Sequence, residues 1–201
     1  MIKRGFDICL ALCALLVSAP LLAIISLWIK FDSPGPVLFR QQRIGLRGRP
    51  FAINKFRTMR IGADEQGPQI TVEADPRVTR AGAFLRRHKL DELPQLFNVL
   101  IGNMSIVGPR PEVSRYVDLY PREKRELILS VRPGITDLAS IAYRDESALL
   151  SSAGDPEERY LSEILPAKLE YCCCYVKQRS MKLDLFIIWR TVAAVLRRPQ
   201  S

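Results

Sequence analysis

Ile8–Ile29, ICLALCALLVSAPLLAIISLWI, runs for twenty-two residues without a charge. As a straight helix it would reach roughly 33 Å, enough to cross the hydrocarbon core of a bilayer. Pro20 stands near its middle, where it removes one backbone donor and its ring opposes the carbonyl of Leu16. Ser18 can donate back to a carbonyl one turn earlier and add to a bend. A cleaved leader fits poorly, because the run continues well past the candidate cut at Val17-Ser18-Ala19. Two membrane readings remain: an ordinary spanning helix, and a re-entrant hairpin that bends at Ser18 and Pro20. Lys3 and Arg4 precede the run; Lys30, Arg40, Arg43, Arg47 and Arg49 follow it. Positive charge favours the cytoplasmic side, and here both flanks are positive. A proline is nevertheless tolerated in a spanning helix, so these residues leave both readings open.

The basic excess is concentrated beside this run. The chain carries a net charge of +9, yet its first sixty residues hold ten Lys/Arg against two acids and the rest is nearly balanced. Basic charge next to an apolar anchor suits anionic headgroups better than nucleic acid. No nucleic-acid-binding motif accompanies the pI of about 9.6. The five cysteines include the adjacent Cys172, Cys173 and Cys174, and there is one histidine, His88. No C-x-x-C occurs, which disfavours a zinc site and suits free thiols in a reducing compartment.

Beyond the anchor, Asp32-Ser33-Pro34-Gly35-Pro36 is a turn cluster. Val37-Leu38-Phe39 and Phe51-Ala52-Ile53 flank a Gly- and Arg-rich connection, which predicts a β-hairpin or two short strands. Residues 61–80 are polar and predict a surface loop. Helices are expected over 81–89, 90–100, 112–130 with an interruption near Pro121, 156–176 with a break near Pro166, and 183–196. Arg132-Pro-Gly-Ile-Thr136 predicts a turn. The final helix, with Phe186 and Trp189 and the basic end Arg197-Arg198-Pro199, could lie on a membrane surface or be buried; periodicity alone does not separate these. The fold class is α+β, mostly α. A membrane anchor at 1–31 joins a small helical domain at 32–201, with a short β-hairpin and interfacial amphipathic helices.

The densest polar constellation is Arg86-Arg87-His88-Lys89-Leu90-Asp91-Glu92-Leu93-Pro94. Pro94 makes a helix start near Asp91 the easiest solution. Acids are favoured at such a start, and adjacent carboxylates can hold Mg²⁺ while one acts as nucleophile or base. Flanking cations should keep Asp91 ionised. The same acids could equally be plain helix caps. Two further patches are Asn54–Arg60, basic without an acid, and Gly108-Pro-Arg-Pro-Glu112, which fixes one arginine between two prolines. A constrained arginine suits bidentate phosphate recognition.

Lys55-Phe-Arg-Thr-Met59, Leu90-Asp-Glu-Leu-Pro-Gln-Leu-Phe-Asn-Val-Leu100, Gly102-Asn-Met-Ser-Ile-Val-Gly-Pro-Arg-Pro111 and Arg132-Pro-Gly-Ile-Thr136, taken together and in order, resemble the bacterial sugar transferases. More narrowly they resemble the monotopic phosphoglycosyl transferases in their minimal form, with one anchor and one catalytic domain. The resemblance implies a re-entrant anchor at the cytoplasmic face of the bacterial inner membrane. It implies transfer of a sugar phosphate from a UDP-sugar donor to polyprenyl phosphate with Mg²⁺, releasing UMP, as the initiating step of glycoconjugate assembly. The family's catalytic dyad falls on Asp91 and Glu92, with Asp91 as nucleophile and both in metal binding. Its phosphate- or nucleotide-binding basic residues fall on Lys55, Arg86 and Arg110, and a later arginine on Arg144. The family's Ser-Pro hinge is here Ser18-Ala19-Pro20. After the Pro-Gly-Ile-Thr turn, Asp137-Leu-Ala-Ser-Ile-Ala-Tyr-Arg144 replaces the common Gly-x-Ala-Gln-Val-Asn-Gly-Arg, so the donor sugar does not carry over. The residues alone also allow a non-catalytic adaptor that binds anionic lipid or a partner protein through the basic 40–60 region.

Overall fold

The computed structural model describes residues 2–63, 75–151 and 155–196. Much of the polar 61–80 segment, including Gly67-Pro68, and the basic Arg197-Arg198-Pro199 end lie outside these residues. The described residues are mostly helical, with two small sheets among them. A single helix, α1 (Ile2–Asp32), contains the whole apolar run, with Pro20 inside it. By length and composition it could cross a membrane. Ser18 Oγ donates back to the Ala14 carbonyl at 2.6 Å.

Strands β1 (Leu38–Ile44) and β2 (Pro50–Phe56) form the expected antiparallel hairpin, paired from Leu38↔Phe56 to Ile44↔Pro50. Its turn places Arg47 and Gly48 at φ 56° and 75°, the left-handed region that Gly48 enters without strain. Helix α2 (Arg80–Arg87) is capped by Thr79, whose hydroxyl accepts from Gly82 N at 3.0 Å.

The helix expected over 90–100 is split. Lys89 sits at φ 55°, Leu90–Glu92 is one turn of 3₁₀-helix, and α3 (Gln95–Leu100) begins only after Pro94. Asp91 therefore occupies a tight turn rather than the start of a long helix. The chain continues through β3 (Ser105–Val107), α4 (Ser114–Val117), α5 (Arg122–Ile128), β4 (Gly134–Thr136), α6 (Leu138–Ala142), α7 (Glu146–Ser151), α8 (Pro156–Arg159), α9 (Leu165–Gln178) and α10 (Met181–Leu196). The segment Arg132–Thr136 is thus more than a turn: its last three residues pair in parallel with β3, Ser105↔Gly134 and Val107↔Thr136. A Cβ on Gly134 would come within 2.1 Å of Gly108 N, so glycine is needed for these two backbones to meet. That contact fixes the base of the Gly-Pro-Arg-Pro loop.

Three apolar clusters hold the domain together. The first joins α1, α3, β3 and α10 through Ala11, Leu96, Val99, Val107 and Ile187. The second lies under α4, α5 and α9 and includes Val113, Ile128, Leu169 and Cys172. The third clamps the far half of α1 to β2 and α2 through Ile25, Ile29, Phe56 and Leu85. Both ends of α1 are also tied to the domain by polar contacts. Lys3 reaches Asp184 Oδ2 at 2.6 Å, Arg4 donates to the Val99 carbonyl at 2.7 Å, and Asp7 accepts from Ser105 Oγ at 2.8 Å. At the other end Asp32 accepts from Ala81 N at 3.0 Å, and buried Arg57 donates to the Ser33 and Pro34 carbonyls. Between these ends Leu16 and Val17 are 75% and 84% exposed.

Candidate active site

The dyad is placed by three neighbouring segments. The 3₁₀ turn carries Asp91, which is buried, and Glu92. Strand β2 brings Lys55 Nζ to Glu92 Oε1 at 3.0 Å. The Gly-Pro-Arg-Pro loop brings Arg110, which grips Glu92 with both terminal nitrogens; Nη1 lies 3.1 Å from Oε2 and Nη2 bonds Oε1. Arg110 is held in turn through its backbone, whose N–H donates to Asp137 Oδ2 at 3.1 Å. Asp137 is buried and caps α6 by accepting from Ser140 N at 2.6 Å. A bidentate arginine–carboxylate pair fixes direction as well as charge.

The two carboxylates differ electrostatically although they are adjacent. Burial acts to raise both. At Glu92 the Arg110 and Lys55 charges outweigh burial and hold the carboxyl well below its usual range. At Asp91 burial and the neighbouring Glu92 charge prevail over Lys55, Arg86 and Lys89, and the carboxyl is pushed up. Sequence reasoning expected the basic neighbours to keep Asp91 ionised. Those neighbours, Arg86 and Lys89, do pull the carboxyl down, but burial and the Glu92 charge act more strongly, and Lys55 and Arg110 are bonded to Glu92. Burial also lowers the Lys55 ammonium, against the pull of Glu92.

These groups open onto a cavity of about 1130 Å³. Lys55, Arg86, Asp91, Glu92, Arg110 and Arg144 all line it, so the catalytic and phosphate-binding candidates picked from the sequence share one space. Ser18 and Pro20 are on α1 and are not among its lining residues. The cavity also exposes groups that sequence reasoning did not single out. Arg43 donates to Glu112 Oε2 at 3.1 Å, and Tyr160 donates to Glu112 Oε1 at 3.2 Å. Lys168 pairs with Glu146 at 2.5 Å and lies 5.1 Å above the Tyr160 ring. The available signals were weak: Glu112 closes the quoted Gly-Pro-Arg-Pro block, and Asp137 three residues before Ser140 is a capping spacing. Cys172 lines the cavity too, but burial and the Asp137 charge push its thiol well up.

The donor set suits magnesium better than a metal that needs a protein cage. Among the described residues no group of three or more His, Cys, Asp or Glu side chains gathers to hold an ion. Magnesium commonly takes one or two carboxylates and completes its shell with water and substrate phosphate. Two adjacent carboxylates on a cavity rich in cations for phosphate fit that pattern.

A sequence model of the family described as bacterial sugar transferase matches residues 1–198. The chain is 39% identical over 197 residues to the UDP-N-acetylgalactosamine-undecaprenyl-phosphate N-acetylgalactosaminephosphotransferase of Aeromonas hydrophila, covering 97% of this chain and 44% of that protein. It is 40% identical over 195 residues to the UDP-glucose:undecaprenyl-phosphate glucose-1-phosphate transferase of Escherichia coli (strain K12), covering 96% and 39%. It is 41% identical over 206 residues to the exopolysaccharide production protein PSS of Rhizobium leguminosarum bv. phaseoli, covering 98% and 96%. The chain thus spans less than half the length of the first two relatives and nearly all of the third. The match over residues 1–198 places this chain in the bacterial sugar transferase family.

Proposed function

We propose that this chain is a polyprenyl-phosphate phosphoglycosyl transferase: it moves a sugar 1-phosphate from a UDP-sugar to polyprenyl phosphate and releases UMP. The observation that carries this reading is the Asp91–Glu92 pair on a cavity wall, with Glu92 already neutralised by Lys55 and Arg110. An Asp91 carboxylate oxygen attacks the phosphorus that bears the sugar. The phosphoanhydride bond to UMP breaks, and UMP leaves with the electron pair. A phosphate oxygen of the acceptor then attacks the same phosphorus and breaks the acyl-phosphate bond, which restores the Asp91 carboxylate. Splitting the transfer this way replaces one difficult step by two easier ones.

Lys55, Arg86, Arg110 and Arg144 supply positive charge along the path of the donor diphosphate. Their task is to let an anionic nucleophile approach an anionic phosphorus centre. Mg²⁺, held through Asp91 and Glu92 when bound, supplies further neutralisation of diphosphate charge. Lys55 and Arg110 fix Glu92 in place beside Asp91, whose carboxylate would keep one oxygen for phosphorus while the other helps hold the metal.

The anchor is read as re-entrant, with both flanks at the cytoplasmic face of the bacterial inner membrane. Support comes from the docking of both ends of α1 on the same domain, its exposed middle, and the Ser18 back-bond beside Pro20. The apolar outer face of α10, where Leu185, Trp189 and Val192 are more than half exposed, suits the bilayer surface. A non-catalytic adaptor would use Lys55 as a surface cation, but its side chain is only 19% exposed and is paired with Glu92. Assaying UMP release separates the readings: wild type should release UMP from a UDP-sugar, and Asp91→Asn should not. Equal release by both proteins would exclude Asp91 as nucleophile.

A further inference from the structure

Arg57 directly follows β2 and is only 5% exposed. Its guanidinium turns to the exit of α1. Nη1 donates to the Pro34 carbonyl at 2.5 Å, and Nη2 donates to the Ser33 carbonyl at 2.7 Å and to Ser33 Oγ at 3.0 Å. Its backbone N–H donates to the Val37 carbonyl at 2.9 Å. A planar fork can hold two carbonyls at once, which fixes direction as well as distance. The turn is shaped to admit it. Gly35 has a φ of 123°, and a Cβ there would fall 2.0 Å from Arg57 Nη1. Glycine adopts this backbone without strain and leaves room for the guanidinium.

The same short segment also holds the catalytic side. Lys55, two residues earlier, bonds Glu92. Phe56 packs with Ile25 and Ile29 of α1 and with Leu85 of α2. The Thr58 carbonyl accepts from Thr79 N at 3.0 Å, and a Cβ on Gly82 would come within 2.0 Å of its oxygen, so α2 is seated directly on this backbone. Residues 55–58 thus join the dyad, the exit of α1 and the helix that carries Arg86. The bonds in this join are separable. Lys55 and Arg110 grip Glu92, and β2 is paired with β1 along its whole length. Neither arrangement uses the Arg57 side chain, so its removal loosens the exit of α1 and leaves the dyad clamped.

We propose that Arg57 is a positioning residue: it fixes the exit of α1 against the strand that carries Lys55, and so sets the Asp91 cavity at a defined height over the membrane that holds the acceptor. This rests on the phosphoglycosyl transferase reading and on α1 as the membrane anchor, and it adds the contact that joins the two. It follows that Arg57 serves the transfer to lipid and not the attack on the donor.

The test uses the full chain in phosphatidylethanolamine–phosphatidylglycerol vesicles and reads the two steps apart: the UMP burst without acceptor, and transfer to polyprenyl phosphate in the vesicle. Arg57→Gln and Gly35→Ala should each slow transfer about tenfold, the order of loss that a small misplacement brings, while the burst per folded molecule stays at the wild-type level. Arg57→Lys should recover part of the transfer, because an ammonium reaches one carbonyl but not both. A burst that falls in step with transfer in both variants overturns the proposal, because Arg57 would then serve the fold or the dyad. Unchanged transfer in both variants overturns it too. Gly35→Ala keeps the arginine and displaces only its guanidinium, so it carries the test if Arg57→Gln does not fold. A second measurement needs no catalysis. Spin labels at the exposed positions 31 and 49, in a background lacking the native cysteines, should give one narrow distance distribution in wild type and a broad one in Gly35→Ala. The same narrow distribution in both would overturn the proposal. If wild type releases no UMP from any UDP-sugar, the parent reading fails instead, and the distances still decide whether Arg57 fixes the exit of α1.

Discussion

Arg110 Nη1 lies 3.1 Å from Glu92 Oε2, so the second acid of the dyad carries its counter-ion before any substrate arrives. Lys55 completes the clamp on the other oxygen. The two adjacent acids differ in this pairing: Lys55 and Arg110 grip Glu92, and in the proposed mechanism Asp91 is the one that reacts.

Removing either cation should therefore damage catalysis twice, through lost diphosphate contact and through a disturbed Glu92. Arg110→Ala and Lys55→Ala should each lose about 1.5–3 kcal/mol of transition-state stabilisation, roughly 10- to 150-fold in kcat/KM. Arg110→Lys should recover little, because a single ammonium cannot reproduce the two-pronged grip. Steady-state kinetics on folded variants checks this. Near-normal kcat/KM in both alanine variants would remove these residues from the site.

The opposite directions of the two carboxyls predict opposite stability effects in metal-free protein. Burial raises Asp91, so ionising it costs stability, and that cost sets in as pH rises through its raised value. Asp91→Asn should then melt higher than wild type near neutral pH, and the gap should close as pH falls into the ordinary aspartate range. Glu92 behaves in the reverse sense. Its depressed value means that its ionised form stabilises above the ordinary glutamate range, a contribution lost as pH falls. Glu92→Gln should melt lower than wild type at neutral pH. Thermal scans in chelator across pH 4–8 read both; a lower melting temperature for Asp91→Asn contradicts the account.

The start of α1 is held by a buried polar network. Asp184 is 1% exposed and accepts from Lys3 at 2.6 Å and from Tyr175 OH at 2.7 Å. Asp184→Ala should cost about 1–3 kcal/mol by removing the charged partner of Lys3 and one of the two acceptors of the buried Tyr175 hydroxyl, the other being the Val107 carbonyl. Hydrogen exchange in the first turns of α1 should rise while exchange in β1 and β2 stays the same. Uniform exchange throughout would mean that the contact does not secure the anchor.

Topology is checked by engineered cysteines at positions 2 and 33 in a background lacking the native five. Both should resist a membrane-impermeant reagent in intact cells and react after lysis. Pro20→Leu restores the missing backbone donor and should move a fraction of molecules to periplasmic labelling at position 2. Such labelling in the parent protein would show a spanning helix.

Much of the site is legible in the sequence because its residues lie in compact blocks: Lys55, Asp91-Glu92 and Arg110 each sit in a short polar motif, and all reach one cavity. The β1–β2 hairpin is legible for a similar reason, since both strands flank a glycine-rich turn. What escaped depends on contacts between distant segments. Strands β3 and β4 are three residues each and pair in parallel across an intervening helical stretch, too short to show a period of two. The Arg43–Glu112–Tyr160 cluster brings together three residues far apart in the sequence. The break expected near Pro166 falls one turn earlier, as a π-helical stretch at Tyr160–Ile164, because the proline sits in the first turn of α9 and disturbs the bonding before it. Burial, which pushes the Asp91 carboxyl up against the pull of its basic neighbours, is invisible in a linear string.

The central claim is that Asp91 becomes covalently bound to the phosphosugar. Mass spectrometry of full-length protein quenched after mixing with a UDP-sugar and Mg²⁺, without lipid acceptor, reads this directly. The account predicts a phosphosugar adduct on the Asp91 peptide, a matching burst of UMP, and loss of both on addition of polyprenyl phosphate or in Asp91→Asn. Sequential kinetics with no adduct and no acceptor-independent UMP burst would contradict it and leave direct displacement between the two substrates.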